Sequence, residues 1–216
     1  MTASDARQTS DELARVAAET RVCQACDLHI GARLAVPGEG DPHAEIMLIG
    51  EAASAYDDRS GRPFSGPTGV FLDELLALAG LTRDQVFLTN VVKHRLPAGR
   101  DLAPREIAAC APYLTRQIAA VDPILIVTLG RYALARFLPR GRISAIHGRA
   151  WPGGGRLLLA MYNPAAALHR EELRGAVVQD FTVALPAALS EARRLAAERG
   201  PRRGEDEPGL QQMSLF

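Results

Sequence analysis

Residues 46–69 read IMLIGEAASAYDDRSGRPFSGPTG, and this stretch decides the fold. It begins with four apolar residues, Ile46 to Ile49, bounded by polar turn residues. That pattern predicts a short strand buried on both faces rather than a helix. Gly50 is expected to end the strand, with Glu51 immediately beyond it. Open α/β sheets bind their ligands beyond the carboxyl ends of their strands, so Glu51 is a candidate site residue. Asp57 and Asp58 follow, then Gly61-Arg62-Pro63-Phe64-Ser65-Gly66. Phe64 falls at neither a helical nor a strand period, which points to a pocket lining rather than a core position.

Moving outward, Val70, Leu72, Leu75, Leu76 and Leu78 form one helical face that Gly80 ends. Val86 to Val92 reads as a strand with one lone amide, Asn90, inside an apolar run, and a buried amide needs partners. Pro123 to Gly130 and Leu157 to Met161 read as further buried strands, the latter delivering Tyr162-Asn163-Pro164 beyond its end. Helices are expected over Asp11–Arg21 with Ser10 as cap, over Pro104–Ala120, over Arg131–Leu138 and through most of Glu171–Glu198. Residues 1–10 and the charged tail, 200–216, are expected to stay disordered, leaving one domain over residues 11–199. Strands alternating with helices predict an α/β fold, a three-layer α/β/α sandwich around a mostly parallel four-stranded sheet. In that arrangement Glu51, Asn90 and Asn163 converge on one edge of the sheet.

At 216 residues with 47% hydrophobic and 23% charged residues, the chain has the length and composition of one soluble globular domain. Its formal net charge is zero, so no global cationic field is available and any nucleic-acid contact must use a local surface. No apolar run is long enough to span a bilayer and no signal-peptide pattern is present, which places the expected location in the cytoplasm. Three cysteines in a reducing compartment argue against a disulfide framework. Cys23 and Cys26 form a C-x-x-C, and His94 is followed sixteen residues later by Cys110. Three thiols and an imidazole suit tetrahedral zinc. They equally suit an iron–sulfur cluster in which imidazole replaces one thiolate. Spacing alone does not choose between the two.

Taken together, these motifs resemble the iron–sulfur uracil-DNA glycosylases, family 4 and the related UdgX-type enzymes, over residues 20–190. The resemblance rests on order and spacing: C-x-x-C, then G-E followed by Asp57-Asp58 and GRPF-x-G, then Thr89-Asn90 and Val92-Lys93-His94, then Cys110, then a strand followed by Asn163-Pro164. It implies a [4Fe–4S] cluster on Cys23, Cys26, His94 and Cys110, with zinc as the alternative. By the same resemblance Glu51 handles water, Asp57 is the second acid of its loop, Phe64 stacks on an extruded uracil, Asn90 reads the base and Asn163 stands where His is usual. Leu168 is placed to wedge into the gap a flipped base leaves. The chain departs from the pattern at Ala53-Ser54, where Pro-Gly is usual, and at Ala165, where Ser is usual. Its Arg95–Arg105 loop carries no His, so no covalent link to DNA is expected, while Arg95, Arg100 and Arg105 are candidate phosphate contacts.

The implied activity is excision of uracil from DNA by a monomer. Two other readings stay open: a cluster-bearing damage-recognition protein with little or no activity, and a glycosylase for another deaminated base. The tail ends in Gln212-Met213-Ser214-Leu215-Phe216, which resembles the motif by which bacterial repair proteins dock on the sliding clamp. An apolar tip after a polar tail is otherwise disfavoured in water. A peptide of the last ten or so residues should bind a bacterial clamp with Kd on the order of micromolar in calorimetry. Replacing Leu215 and Phe216 together by Ala should abolish the heat signal, and unchanged affinity would refute the assignment.

Overall fold

The computed structural model describes residues 3–97 and 100–199. The tail positions Gln212, Met213, Leu215 and Phe216 lie outside the described residues. In chain order the elements are α1 (Ala3–Arg21), β1 (Glu39–Gly40), β2 (Ile46–Ala53), α2 (Ala55–Ser60), α3 (Gly66–Leu78) and β3 (Val86–Arg95). Then come α4 (Pro104–Val121), β4 (Leu125–Leu129), α5 (Arg131–Ala135), α6 (Ile143–Ile146), β5 (Ala150–Gly153) and β6 (Arg156–Met161). The chain closes with α7 (Pro164–His169), α8 (Arg174–Gln179), a π-helical segment (Asp180–Ala184) and α9 (Leu185–Arg199).

The sheet order is β1-β3-β2-β4-β6-β5. Its four central strands are mutually parallel, and β1 and β5 pair antiparallel at the two edges. The expected four-stranded sheet is therefore the parallel centre of a six-stranded one. The edge strands escaped the sequence because one is two residues long and the other contains Pro152, a residue that edges tolerate. Successive residues of β2 point to opposite faces. Leu48 joins Leu72, Leu75 and Phe181 on one side, while Met47 and Ile49 join Leu114 and Ile118 on the other. Both faces are thus covered by helices, as a parallel sheet requires.

Two strands run further than expected. β2 continues to Ala53, so Glu51 lies within it, and the register with β3 shifts between Ala52 and Ala53. β3 continues to Arg95, carrying Asn90 and His94 inside it. Helix α1 starts at Ala3, so residues 3–10 are helical rather than disordered. Ser10 lies within that helix, its Oγ bonding back to the Ala6 carbonyl instead of capping. Arg116 of α4 ties α1 down through Glu12 and Glu19.

On α3 the expected apolar face was partly wrong. Val70 and Leu78 are 61% and 60% exposed, and Phe71 is buried beside Leu72, Leu75 and Leu76 in their place. The helix begins four residues before Val70, at Gly66, and this sets which positions meet the sheet. Leu76→Ala should cost about 2–5 kcal/mol in chemical denaturation. Leu78→Ala should stay within about 0.5 kcal/mol of the parent, and equal losses at the two positions would contradict this placement.

Candidate active site

The parallel register delivers the site. Gly50 pairs with Asn90 across β2 and β3, Ile49 pairs with Thr128, and Leu129 pairs with Met161. The shared register therefore brings Glu51 and Asn90, within the longer β2 and β3, level with Gly130 and Asn163, which lie just past the ends of β4 and β6. Two glycines let these side chains close up. A β-carbon at Gly50 would lie 2.3 Å from Asn90 Oδ1 and 2.6 Å from Phe64 Cζ. One at Gly130 would lie 2.5 Å from Glu51 Oε1 and 3.3 Å from Asn163 Cβ, and Gly130 also has φ +93°, which disfavours any other residue. Glu51, Phe64, Asn90 and Asn163 are thus brought together, although they come from four separate segments.

Each has a defined setting. Glu51 Oε1 accepts the Tyr132 backbone N–H of α5 at 3.2 Å. Burial nonetheless raises its pKa above the ordinary carboxylate value, the amides of α5 and the Arg131 charge opposing only in part. Asn163 caps α7: its Oδ1 accepts the Ala165 N–H at 3.0 Å. Its amide nitrogen makes no hydrogen bond among the described residues, so a donor is left over. Asn90 is buried, its side chain beside Gly50. Leu168 on α7 is 40% exposed, followed by exposed His169 and Arg170.

Asp57 has a different setting. Its Oδ2 accepts the Ser54 N–H at 2.8 Å, closing a capping box at the start of α2. Its Oδ1 accepts both the N–H and the hydroxyl of Ser65, each at 2.7 Å. One oxygen is therefore spent on the start of α2 and the other on the loop that carries Phe64. Asp58 is used in the same way, holding the Arg33 N–H at 2.8 Å.

The sulfur and imidazole groups come from three segments: Cys23 and Cys26 from the stretch after α1, His94 from β3 and Cys110 from α4. Cys110 is only 1% exposed, and burial raises its thiol pKa while the Lys93 backbone N–H opposes. The thiols of Cys23 and Cys26 are near enough to act on it electrostatically. The Tyr113 hydroxyl bonds to the Cys23 sulfur and is pushed up to about 12. Cys23, His29 and His94 line one groove. Among the described residues no group of three or more His, Cys, Asp or Glu side chains is arranged to hold a metal ion. His94 Nδ1, however, is buried with no hydrogen-bond partner. Such an orphan costs free energy unless something ligates it, and as donor types three thiols and one imidazole suit an iron–sulfur cluster or zinc.

Sequence reasoning missed several neighbours. Lys93 is fully buried beneath Asn90, its Nζ donating to Thr89 Oγ1 (2.6 Å), the Asn90 carbonyl (2.7 Å) and Gln117 Oε1 (2.7 Å). Burial pushes its pKa down to about 7. Asp180, buried in the π segment, accepts from the Tyr162 N–H at 3.1 Å and pairs with His147 at 2.9 Å, next to Asn163. The arginines expected on phosphates have protein partners: Arg100 binds buried Glu106, Arg105 binds Asp27, and Arg95 lies 3.9 Å from Asp58. No residue-type signal separates such ion pairs from phosphate contacts.

The profile of the family described as "Uracil DNA glycosylase superfamily" matches residues 37–185. The type-4 uracil-DNA glycosylase of Saccharolobus solfataricus is 41% identical over 181 residues, covering 79% of this chain and 84% of that protein. The type-4 enzyme of Archaeoglobus fulgidus is 40% identical over 184 residues, covering 81% and 90% respectively. That of Thermotoga maritima is 36% identical over 179 residues, covering 80% and 93%. The matched span contains every strand of the sheet and the four side chains that meet around Gly50 and Gly130, and on this ground the chain belongs to the uracil DNA glycosylase superfamily.

Proposed function

We propose that this protein removes uracil from DNA by hydrolysing the bond between uracil N1 and the deoxyribose C1′. The observation that carries the reading is the meeting of Phe64 with Asn90 over Gly50, and of Glu51 with Asn163 across Gly130. A base inside a duplex cannot reach such a site, so the nucleotide must be flipped out, at a cost of a few kcal/mol. Stacking on Phe64 returns about 1–3 kcal/mol of this. The Asn90 amide donates to uracil O4 and accepts from N3–H, a pattern that cytosine reverses. As the C1′–N1 bond breaks, the sugar becomes cationic and the leaving uracil gathers negative charge. The spare Asn163 amide N–H stabilises that charge at O2.

Glu51 holds the attacking water. Its oxygen bonds to C1′ and its proton passes to the carboxylate, whose raised pKa makes it a better proton acceptor than an exposed glutamate. The leaving uracil anion takes up a proton from Glu51 or from solvent, so the products are free uracil and an abasic sugar. Asp57 acts at one remove, by fixing the Phe64 loop, and Leu168 fills the space the flipped nucleotide vacates.

We further infer that Cys23, Cys26, His94 and Cys110 hold a [4Fe–4S] cluster. Bound there, it would cross-link the segment after α1 to β3 and α4 and supply reversible one-electron chemistry. Among the chain's own residues, Lys93 and Tyr113 donate to the cysteine sulfurs, and His94 presents its unpartnered nitrogen. Cysteines kept reduced for this purpose fit work in the cytoplasm, and the motif at residues 212–216 would hold the enzyme at the sliding clamp.

Glu51→Gln separates chemistry from stability. Single-turnover excision from uracil-containing oligonucleotides should fall by about 10²-fold or more with little change in DNA affinity. Stability should move the other way. Above the ordinary value of 4.5 and up to the raised folded value, native Glu51 keeps a proton that the unfolded chain has released. Ionising Glu51 therefore destabilises the fold as pH rises through that window. The variant should have a higher Tm than the parent at pH 7, and the gain should vanish below pH 4.5. Parent-like cleavage by the variant would remove Glu51 from the mechanism.

Anaerobically purified protein should be brown, with broad visible absorption and about four irons per chain. His94→Cys should keep the colour and lower the reduction potential, since thiolate donates more strongly than imidazole. Colourless protein with one equivalent of zinc would overturn the iron–sulfur assignment.

A further inference from the structure

Phe64 has φ +50°, a left-handed backbone that a bulky residue adopts only when its surroundings impose it. Glycine would relieve the strain but would remove the ring, so the strain is retained for the ring's sake. Asp57 grips one side of the residue, at the Ser65 N–H. The other side is held by Arg83, which neither the motifs nor the Glu51–Asn163 chemistry calls upon. Arg83 Nη2 donates to the Phe64 carbonyl at 2.5 Å and Nη1 to the Pro63 carbonyl at 3.3 Å.

The guanidinium is itself fixed. Its Nε donates to Asp73 Oδ1 of α3 at 3.1 Å, and Nη1 lies 3.7 Å from Glu39 Oε1 of β1. Its backbone begins a 3₁₀ turn in which the Thr82 N–H donates to Gln85 Oε1 at 2.8 Å and the Gln85 N–H to the Thr82 carbonyl at 3.1 Å. Gly69 completes the seat: a β-carbon there would lie 1.9 Å from the Phe64 carbonyl oxygen, so this peptide rests directly on the first turn of α3. Two carbonyls that would otherwise face the start of a helix are thereby turned to a forked cation whose planar geometry suits paired acceptors.

We propose that Arg83 is a positioning residue for uracil excision: by clamping the Pro63 and Phe64 carbonyls it holds Phe64 in its strained conformation, so that the ring stands over Gly50 before a base arrives. The inference rests on the reading of Phe64 as the stacking ring. A loosened loop lets Phe64 relax to negative φ and swing its ring away. The flipped uracil must then reorder the loop, and the rate falls through a smaller productive population rather than through altered chemistry.

The test uses the full-length protein, single-turnover excision, and the fluorescence of 2-aminopurine placed beside uracil as a readout of base extrusion. Arg83→Gln should slow excision about tenfold and reduce the extrusion signal, with affinity for uracil-free DNA unchanged. Arg83→Lys should recover part of the loss, because one ammonium reaches a single carbonyl. In a Phe64→Ala background, Arg83→Gln should add less than about a twofold further loss, since the two changes act through one ring. Parent-like excision and extrusion by Arg83→Gln, while Phe64→Ala is slow, would overturn the clamp and leave the stacking reading standing. An undiminished tenfold loss in the Phe64→Ala background would also overturn it. Parent-like excision by Phe64→Ala would overturn the stacking reading and the clamp with it. Should Arg83→Gln fail to fold, Asp73→Asn, which frees Nε at the surface of α3, must slow excision in the same direction, and a parent-like rate there would overturn the proposal.

Discussion

The close approach of strand ends at Gly50 and Gly130 is the constraint on which the rest of the molecule depends. Four parallel strands share one hydrogen-bond register, from Gly50 opposite Asn90 to Leu129 opposite Met161, so the positions at and just past these pairs stand side by side. A parallel sheet of this kind must be buried on both faces, which is why its central strands read as apolar runs and why helices cover each side. Only at the edge beyond those runs can polar groups gather. There the two missing β-carbons allow Phe64 to sit against Asn90 and Glu51 against Asn163, at distances that any larger residue would prevent.

Below that edge the site is supported by polar groups with few alternatives. Lys93 lies in the interior with three acceptors around its ammonium, and Gln117 and Thr89 in turn both reach the Pro37 carbonyl. A buried ammonium without partners would cost several kcal/mol, so this network fixes the path of β3 as well as the charge. The Asn90 carbonyl is one of its acceptors, and the Lys93 backbone N–H faces Cys110 on the other side. One short stretch of β3 thereby joins the Asn90 amide to Cys110 and His94. On the far side of the site, Asp180 holds the Tyr162 N–H one residue before Asn163. It does so from a π-helical turn, a form that costs backbone geometry and recurs where a side chain must be placed exceptionally.

The same economy of placement appears in the Phe64 loop. Its conformation is locally unfavourable, and the opposing contributions come from residues distant in sequence, Asp57 through Ser65 and Arg83 through the Phe64 carbonyl. Strain stored in this way is found where a side chain must be ready before its ligand arrives. Glu51 is strained in electrostatic form, since burial raises its pKa and disfavours its charged state.

Much of this was legible in the sequence, and the reason is locality. Short apolar runs bounded by turn residues located the four central strands, and helical spacing located the helices around them, because both periods are properties of a few consecutive residues. Glu51, Asn90 and Asn163 could be assigned to one edge because each lies near or just past the carboxyl end of such a run. What the sequence left open depends on register and on packing between distant segments. The exact end of β2, the two edge strands, the exposed sides of Val70 and Leu78, and the engagement of Asp57 by Ser65 are all of this kind. So are the pairing of Arg100 with Glu106, the burial of Lys93 and the reach of Arg83 to Phe64. A charged residue carries no mark of its partner in the chain. Only the folded backbone decides whether an arginine meets a carboxylate, a carbonyl or solvent.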